Sequence, residues 1–227
     1  MNAHISGEHA ARTLTGFRQG GSFRTAAGRA ELTGDIATAN FRGTHQQVAA
    51  GKLHANMTRT EDHRVWIGLG SNLGDSRAIL TAAAEQIATW STQPLVRSSL
   101  WRSTPVGCPP GSPDFLNAVV GLAPVADETP ESLLTKLLQL ERAFGRQPKQ
   151  QPNEDRPLDL DLLAFGHLTR ATAQLTLPHP RAQLRRFVLM PWNEVAPDLI
   201  LPGQHETVGG LLTGLQTGER LSRLGSW

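Results

Sequence analysis

Two aspartates occupy alternate positions in an otherwise apolar segment, RPLDLDLLAFG, at residues 156–166. Successive side chains of a β-strand point to opposite faces, so Asp159 and Asp161 would share one face and the leucines around them the other. The two carboxylates would then lie roughly 6–7 Å apart, close enough to bind one divalent ion or to bridge two. The alternative is a solvated polar face of an antiparallel strand, but Asp is a poor strand former and occurs here twice.

Carboxylate oxygens suit Mg²⁺, which keeps several waters and usually completes its shell with substrate phosphates. A phosphate substrate needs basic groups nearby, and the flanking segments supply them. Arg146, Lys149 and Arg156 precede the strand, and HPRAQLRRF follows it at 179–187. No GxxxxGK[ST] sequence is present, which excludes a P-loop, and GLGSN at 68–72 contains only a GxG, a weak signal.

The chain from residue 65 onward alternates apolar runs with amphipathic segments. Apolar runs predict strands at 65–69, at 95–103, at 115–125 and through the two aspartates. Helical spacing predicts helices over 76–90, with Ser76 as N-cap, and over 129–145, with Thr129 as N-cap and Gly145 past the end. Loops at 104–114 and 146–155 separate these elements, and a tail of one short strand and one or two short helices follows. The order strand, helix, strand, strand, helix, strand is typical of an α+β ferredoxin-like sandwich with a largely antiparallel sheet.

The first 64 residues differ in composition from the rest. All five tryptophans lie after residue 64, and a segment so poor in large apolar side chains buries little surface, so we expect disorder. Three interpretations stay open: a transit peptide, a regulatory tail, or a true translation start at Met57, which we favour. The predicted organisation is a disordered or non-native extension at 1–64 and one domain at 65–227.

The formal net charge of +2 is unevenly distributed along the chain. Residues 1–64 contain 8 Lys and Arg against 5 Asp and Glu, which leaves 14 basic and 15 acidic residues in the remainder. Because the basic excess lies outside the predicted domain, it gives no support for nucleic-acid binding. A single cysteine, Cys108, excludes an internal disulfide and favours a reducing compartment. No apolar stretch of ~20 residues is present. We expect a cytoplasmic monomer that binds small molecules and has neither nucleic acid nor membrane as a partner.

Several segments together resemble a known family. In order and spacing, GLGSNLGD, STPVGCPPGSPDFLNAVV, LLQLERAFGR, RPLDLDLLAFG and LPHPRAQLRRFVLMPWNEVAPDLILPG are similar to 6-hydroxymethyl-7,8-dihydropterin pyrophosphokinase, an enzyme of folate biosynthesis. The resemblance covers about residues 65–227 and is most specific where LDLDLLAFG is followed by PHPR. It implies a ferredoxin-like fold and the Mg²⁺-dependent transfer of pyrophosphate from ATP to the pterin hydroxymethyl group, with release of AMP.

The resemblance also implies roles for individual residues. Two Mg²⁺ ions would be held by Asp159 and Asp161, and the catalytic residues would be Arg146, Arg156 and Asp161. Pterin-binding residues would be Thr104, Phe115, Asn117 and Phe187, with the two phenylalanines on either side of the flat ring. ATP-binding residues would be Glu141, His179 and Arg185. The alternatives are ordinary core positions for the phenylalanines and a helix-surface position for Glu141. Gly70, Ser71 and Asn72 match the first turn of the family, where ligand contact and a structural turn both stay open.

The loop at 146–156, which closes over the substrates in the family, departs from the usual pattern. Its length and its terminal arginines are kept. However, the family's Trp position is Asn153, and its Gly-Pro pair is replaced by Glu154 and Asp155. Because lid closure often sets turnover, this departure predicts a slower enzyme or one acting on a different pterin alcohol. The other alternative is a pterin-binding protein with reduced or no catalysis.

Overall fold

The computed structural model describes residues 63–147 and 153–227. The predicted extension at 1–64 lies outside the described residues except for its last two positions, so its nature stays a prediction. Within the described ranges, no helix is long and apolar enough to cross a membrane.

A six-stranded antiparallel sheet forms the centre of the domain. The strands, together with a separate ribbon of β6 and β7, are β1 (Val65–Ser71), β2 (Val96–Arg97), β3 (Leu100–Ser103), β4 (Phe115–Leu122), β5 (Asp159–Phe165), β6 (Arg170–Ala171), β7 (Thr176–Leu177) and β8 (Leu221–Gly225). The strand order is β5-β1-β4-β3-β8, and β2 also pairs with β4. The β5-β1-β4-β3 portion is the order of the split βαβ arrangement, which confirms the predicted α+β class.

Helices cover both faces of this sheet. They are α1 (Ser76–Ala88), α2 (Pro130–Ala143), α3 (Arg186–Val195) and α4 (Val208–Gly214). One core lies between the sheet and the first two helices and contains Ile67 and Leu137. The other core lies against the last two helices, where Trp66 packs with Trp192. Alternate residues of β1 thus enter different cores, as the two-residue period of a strand requires.

The alternation in β5 places its carboxylates as the sequence predicts. Leu160 and Leu162 are buried in the core beneath α1 and α2, whereas Asp159 and Asp161 are only partly buried and border a cavity on the other face. The leucines therefore stabilise the strand through burial on one side, while the opposite side is available for chemistry.

The prediction of one continuous strand over 95–103 is wrong. The strand is divided into β2 and β3 at Ser98 and Ser99. The hydroxyl of Ser98 accepts the N–H of Val119 at 2.9 Å, and the N–H and hydroxyl of Ser99 donate to Glu194 of α3. Side-chain acceptors therefore replace part of the strand ladder, which the spacing of apolar residues does not reveal.

The predicted cap of α1 is wrong by one residue. Asp75, rather than Ser76, is the N-cap, and its carboxylate accepts the N–H of Ala78 at 3.1 Å. Asp and Ser are both common at this position, so the sequence alone does not separate them. Thr129 caps α2 as predicted, and Gly145 follows that helix with a φ of 88°.

Candidate active site

A cavity of about 320 Å³ opens on the α3 face of the sheet, where β1 ends and β4 and β5 begin. This volume lies in the range of small-molecule binding sites. The cavity lining brings together eight of the predicted site residues: Thr104, Phe115, Asn117, Arg156, Asp159, Asp161, Arg185 and Phe187. The other three, Arg146, Glu141 and His179, do not line it but contact the strand that carries the aspartates or the aspartates themselves.

Glycines of β1 form part of the cavity floor. The strand runs to Ser71, two residues beyond its predicted end, and places Gly70 opposite Asn117 of β4 and Asp159 of β5. A Cβ atom at Gly70 would lie 3.6 Å from Asn117 Oδ1 and 3.7 Å from Asp159 Cβ. Any larger side chain would therefore occupy the space between the amide and the carboxylate.

Asp159 lies between two arginines. Its Oδ1 accepts from Arg146 Nη1 at 2.8 Å, and its Oδ2 accepts from Arg156 Nη2 at 2.7 Å. Arg146 follows α2 and Arg156 precedes β5, so one carboxylate joins the two ends of the 146–156 loop. Such charge-assisted hydrogen bonds are stronger than those between neutral groups.

The helix-surface alternative for Glu141 is wrong, because this residue is only 2% exposed. Its Oε1 accepts the backbone N–H of Leu160 at 2.7 Å and also pairs with Arg146. Burial raises the pKa of Glu141 to about 7, although the Leu160 N–H and the Arg146 charge act in the opposite direction. Glu141 therefore holds the backbone between the two aspartates and fixes an arginine beside the first of them.

The basic side chains near Asp161 are more distant than those near Asp159. Arg185 Nη1 lies 3.6 Å and His179 Nε2 lies 3.9 Å from its carboxylate oxygens. Desolvation in the cavity, and then repulsion by Asp159, raise the pKa of Asp161. Desolvation lowers the pKa of His179, and the charge of Asp161 opposes that change. Among the described residues, Asp161 therefore lacks the close cationic partners that Asp159 has.

The donor set of the cavity fits Mg²⁺. Asp159 and Asp161 offer hard oxygen ligands from one strand face. Within residues 63–147 and 153–227, no group of three or more His, Cys, Asp or Glu side chains is placed to hold a metal ion. Mg²⁺ is commonly bound by one or two carboxylates together with waters and substrate phosphates, whereas Zn²⁺ needs at least three protein ligands.

Phe115 and Phe187 form two separate aromatic walls of the cavity. Phe115 begins β4, and Phe187 lies in the first turn of α3. Across the described residues the only aromatic ring pair is the tryptophan pair of the second core, so these two rings do not touch. The guanidinium carbon of Arg156 lies 5.6 Å from the centre of the Phe115 ring, and that of Arg185 lies 5.4 Å from the Phe187 ring. Two aromatic walls beside guanidinium groups suit a flat ligand next to an anion.

Asn117 presents a fixed amide to the same space. It is 5% exposed, and its Nδ2 donates to the Ser103 hydroxyl at 2.9 Å. Its Oδ1 faces Gly70 and accepts no hydrogen bond from any described residue. A buried amide normally has all its partners, so this oxygen is available to an N–H of a ligand. Thr104 lies nearby, where its hydroxyl accepts the N–H of Arg220 at 3.3 Å.

The described end of the 146–156 loop is fastened to two neighbouring turns. Asn72 Nδ2 donates to Asp155 at 2.6 Å, and Asn72 Oδ1 accepts the N–H of Arg156 at 2.8 Å. Asn153, with a φ of 54°, donates from Nδ2 to the carbonyl oxygen of Gly107 at 3.0 Å. These contacts hold Arg156 beside the cavity and favour the structural interpretation of the Asn72 turn.

The two acids that distinguish this loop do not line the cavity. The Asp155 carboxylate is directed to Asn72, and the carbonyl oxygen of Glu154 accepts from Arg156 at 2.8 Å. Neither acid is therefore placed in the cavity lining, where it would repel the phosphates of a nucleotide. Residues 148–152, which include Lys149, lie outside the described part of the chain.

Some residues of the cavity lining were not predicted as site residues. Gly68, Asn153, Leu184, Val188 and Glu219 line the cavity but were not predicted. Gly68 could have been predicted, because Gly68 and Gly70 alternate at the end of β1 and leave one face of the strand without side chains, as the floor of a cavity requires. No local signal exists for Glu219, whose partner Phe187 is 32 residues earlier in the chain.

Comparison with known sequences gives a consistent assignment. The sequence model of the family described as 7,8-dihydro-6-hydroxymethylpterin-pyrophosphokinase (HPPK) matches residues 66–197. A relative from Synechocystis sp., named 2-amino-4-hydroxy-6-hydroxymethyldihydropteridine pyrophosphokinase, is 37% identical over 147 residues, which are 64% of this chain and 73% of the relative. A relative of the same name from Methylorubrum extorquens is 37% identical over 142 residues, which are 62% of this chain and 87% of the relative.

Solved structures share the fold. The crystal structure of wild-type Plasmodium falciparum HPPK-DHPS with pteroate matches with a TM-score of 0.52 at 12% identity, over 66% of this chain and 42% of that chain. A structure of HPPK-DHPS in complex with substrates matches with a TM-score of 0.54 at 10% identity, over the same shares of the two chains. At this identity the likeness supports the fold alone, but the sequence match spans more than half of the chain. The chain therefore belongs to the 7,8-dihydro-6-hydroxymethylpterin-pyrophosphokinase family.

Proposed function

We propose that this chain transfers the pyrophosphoryl group of ATP to the hydroxymethyl oxygen of 6-hydroxymethyl-7,8-dihydropterin, with release of AMP, in folate biosynthesis. One observation carries the proposal. A single cavity is lined by Asp159 and Asp161 and also by Phe115 and Phe187. A position for metal-bound phosphates therefore adjoins a position for a flat ring, as a reaction between a nucleotide and a pterin requires. The names of the relatives agree with this chemistry.

The pterin ring is proposed to enter the gap between Phe115 and Phe187. Flat rings stack favourably on aromatic faces, and the two walls do not already contact each other. Asn117, whose amide is fixed by Ser103, would accept an N–H of the ring edge. Thr104 lines the same end of the cavity. We propose that the hydroxymethyl group faces the aspartates, which line the same cavity.

The other end of the cavity would bind the triphosphate of ATP. Two Mg²⁺ ions, held by Asp159 and Asp161, would neutralise phosphate charge and orient the β-phosphorus for in-line attack. Arg156 Nε is buried and has no hydrogen-bond partner among residues 63–147 and 153–227, so we propose that this donor binds a phosphate oxygen. One guanidinium group can donate two parallel hydrogen bonds to phosphate oxygens, so we propose that Arg146 and Arg185 also bind the triphosphate.

The remaining residues are proposed to support these groups. Glu141 keeps Arg146 in place through a buried ion pair. The backbone N–H of His179 donates to the carbonyl oxygen of Leu163 of β5 at 2.8 Å, and its Nδ1 accepts the N–H of Arg181 at 3.3 Å. These bonds hold the imidazole near Asp161, where we propose that it contacts ATP. We further propose that residues 65–227 form the catalytic domain and act as a monomer.

The test is pterin-dependent AMP release from ATP by the purified protein in the presence of Mg²⁺. Asp159→Asn and Asp161→Asn should each lower kcat by at least about 100-fold, because loss of a metal ligand removes several kcal/mol of charge stabilisation. Asp127→Asn is the matched control, since Asp127 is exposed and lies after β4, outside the cavity lining. Circular dichroism would verify that all three variants are folded.

Two results would contradict the proposal. One is AMP release that persists in both strand variants, which would place the reaction elsewhere. The other is a folded wild-type protein that binds the pterin tightly but never releases AMP, which would favour the binding-protein alternative. A panel of pterin alcohols in the same assay would test the alternative of a different substrate.

A further inference from the structure

The C-terminal segment reaches the aromatic end of the cavity, although it lies outside the part of the chain matched by the family model. Glu219 lines the cavity together with Phe187 and Thr104. The next residue, Arg220, accepts the N–H of Thr104 on its carbonyl oxygen at 3.2 Å and donates its own N–H to the Thr104 hydroxyl at 3.3 Å. The segment therefore contacts two of the residues proposed to bind the pterin.

The Glu219 carboxylate also holds the beginning of α3. Its Oε2 accepts the N–H of Phe187 at 3.0 Å. Phe187 is the second residue of this helix, whose N-cap Arg185 makes no side-chain capping bond and whose first turn contains no acidic residue. The first N–H groups of a helix have no intrahelical partner, and a carboxylate near them also interacts favourably with the helix dipole. Glu219 thus supplies from a distant segment the cap that α3 lacks.

We propose that Glu219 is a positioning residue of the pterin slot, which is the space between Phe115 and Phe187, and that it acts through Phe187. This proposal rests on the proposed function, because it assigns the slot to the pterin. The slot accepts a flat ring only while the wall at Phe187 keeps its distance from the wall at Phe115. A first helical turn without a cap would let the Phe187 ring move, and the ligand would then have to order it on binding.

The effect of removing Glu219 should be local, because other contacts hold the C-terminal strand. Arg223 of β8 pairs with Glu194 at 2.8 Å, and Trp227 Nε1 donates to the carbonyl oxygen of Ser98 at 2.8 Å. Neither of these contacts involves the cavity lining. Strand docking therefore survives the loss of the carboxylate, while the capping bond to Phe187 is lost.

The experiment compares the full-length protein with Glu219→Ala, Glu219→Gln and the exposed control Glu206→Gln. Direct binding of 6-hydroxymethyl-7,8-dihydropterin would be measured with Mg²⁺ and a non-hydrolysable ATP analogue, beside the Kd of that analogue. Glu219→Ala should weaken pterin binding by about tenfold, as loss of a helix cap predicts, and leave the analogue Kd within about twofold. Glu219→Gln keeps an acceptor oxygen and should recover most of the affinity. Hydrogen exchange of the Phe187 amide should accelerate in the Ala variant.

The possible outcomes distinguish a failure of the positioning role of Glu219 from a failure of the proposed function. Unchanged pterin affinity in Glu219→Ala, or an equal loss of pterin and nucleotide affinity, would overturn the positioning role while leaving the proposed function intact. A wild-type protein that binds no pterin would overturn both. Faster Phe187 exchange together with a pterin-specific loss that Gln restores would establish the role.

Discussion

A carboxylate remote from the cavity gives the sharpest prediction about stability. Glu194 of α3 accepts the N–H of Ser99 at 3.0 Å, the Ser99 hydroxyl at 2.7 Å, the indole N–H of Trp101 at 3.1 Å and Arg223 Nη2 at 2.8 Å. One side chain therefore joins α3 to β3 and β8. Replacing Glu194 with Gln keeps the size of the side chain but removes its charge and turns one of its two acceptor oxygens into a donor, so this variant tests the charge and the acceptor bonds of the junction together.

The magnitude follows from the pKa of Glu194. Burial acts to raise it, but hydrogen bonds from Arg223, Ser99 and Trp101 outweigh burial and hold the pKa at about 2, below the ordinary value of 4.5. A group with a lowered pKa in the folded state contributes stability above its unfolded pKa and loses it as the pH falls. The shift corresponds to at most about 3 kcal/mol. Because 25% of the side chain is exposed, solvent screening reduces the expected value to about 2 kcal/mol.

The assay is urea unfolding of the wild type and Glu194→Gln across a series of pH values, with Glu85→Gln, an exposed position on α1, as control. At pH 7 the Glu194 variant should lose about 2 kcal/mol of unfolding free energy. This difference should shrink as the pH falls from about 4.5 toward about 2, because the wild-type carboxylate then becomes protonated as well. A difference in unfolding free energy that stays constant over that pH range would refute the electrostatic explanation. A difference below about 0.5 kcal/mol at pH 7 would show that the hydrogen bonds of Glu194 do not stabilise the fold.

Two further predictions concern the cavity. Asn72→Ala removes the side-chain bonds to Asp155 and to the N–H of Arg156. Steady-state kinetics should therefore show a kcat/KM for ATP that is lower by about tenfold. An unchanged kcat/KM would mean that other contacts hold this end of the loop. Gly70→Val places a branched side chain between Asn117 and Asp159. The KM for the pterin should therefore rise by about tenfold or more, while the thermal unfolding temperature changes little. A pterin KM equal to that of the wild type would show that the pterin does not bind against this part of the cavity floor.

Much of the site could be predicted because its signal is local. The two-residue period of β5 alone places Asp159 and Asp161 on one face, since leucines at 158, 160 and 162 require the other face to be buried. The helix ends at Thr129 and Gly145 follow in the same way from the residue types that caps demand. Phe115 entered the prediction through the resemblance of its segment to the family, without any knowledge of its neighbours.

The features that were missed depend on partners far apart in the chain. The break at Ser98 exists because Val119 of another strand finds a hydroxyl acceptor there. The Asp155 carboxylate is turned away from the cavity by Asn72, which is 83 residues earlier. Neither pairing leaves a periodic or compositional trace, because each involves a single polar side chain whose partner is set only by the assembled sheet and its loops.

The two aspartates of β5 differ in how closely the described residues neutralise them. Asp159 has both oxygens within 2.8 Å of an arginine, so the protein itself supplies its counter-charges. Among the described residues, the nearest basic groups to the carboxylate of Asp161 are Arg185 at 3.6 Å and His179 at 3.9 Å, beyond the range of a good hydrogen bond, and desolvation disfavours the charged form of His179. A partly desolvated carboxylate without close partners costs stability in the free protein. That cost is recovered only when a cation or a cationic assembly of ligands enters the cavity, so the position of Asp161 is explained by binding rather than by folding.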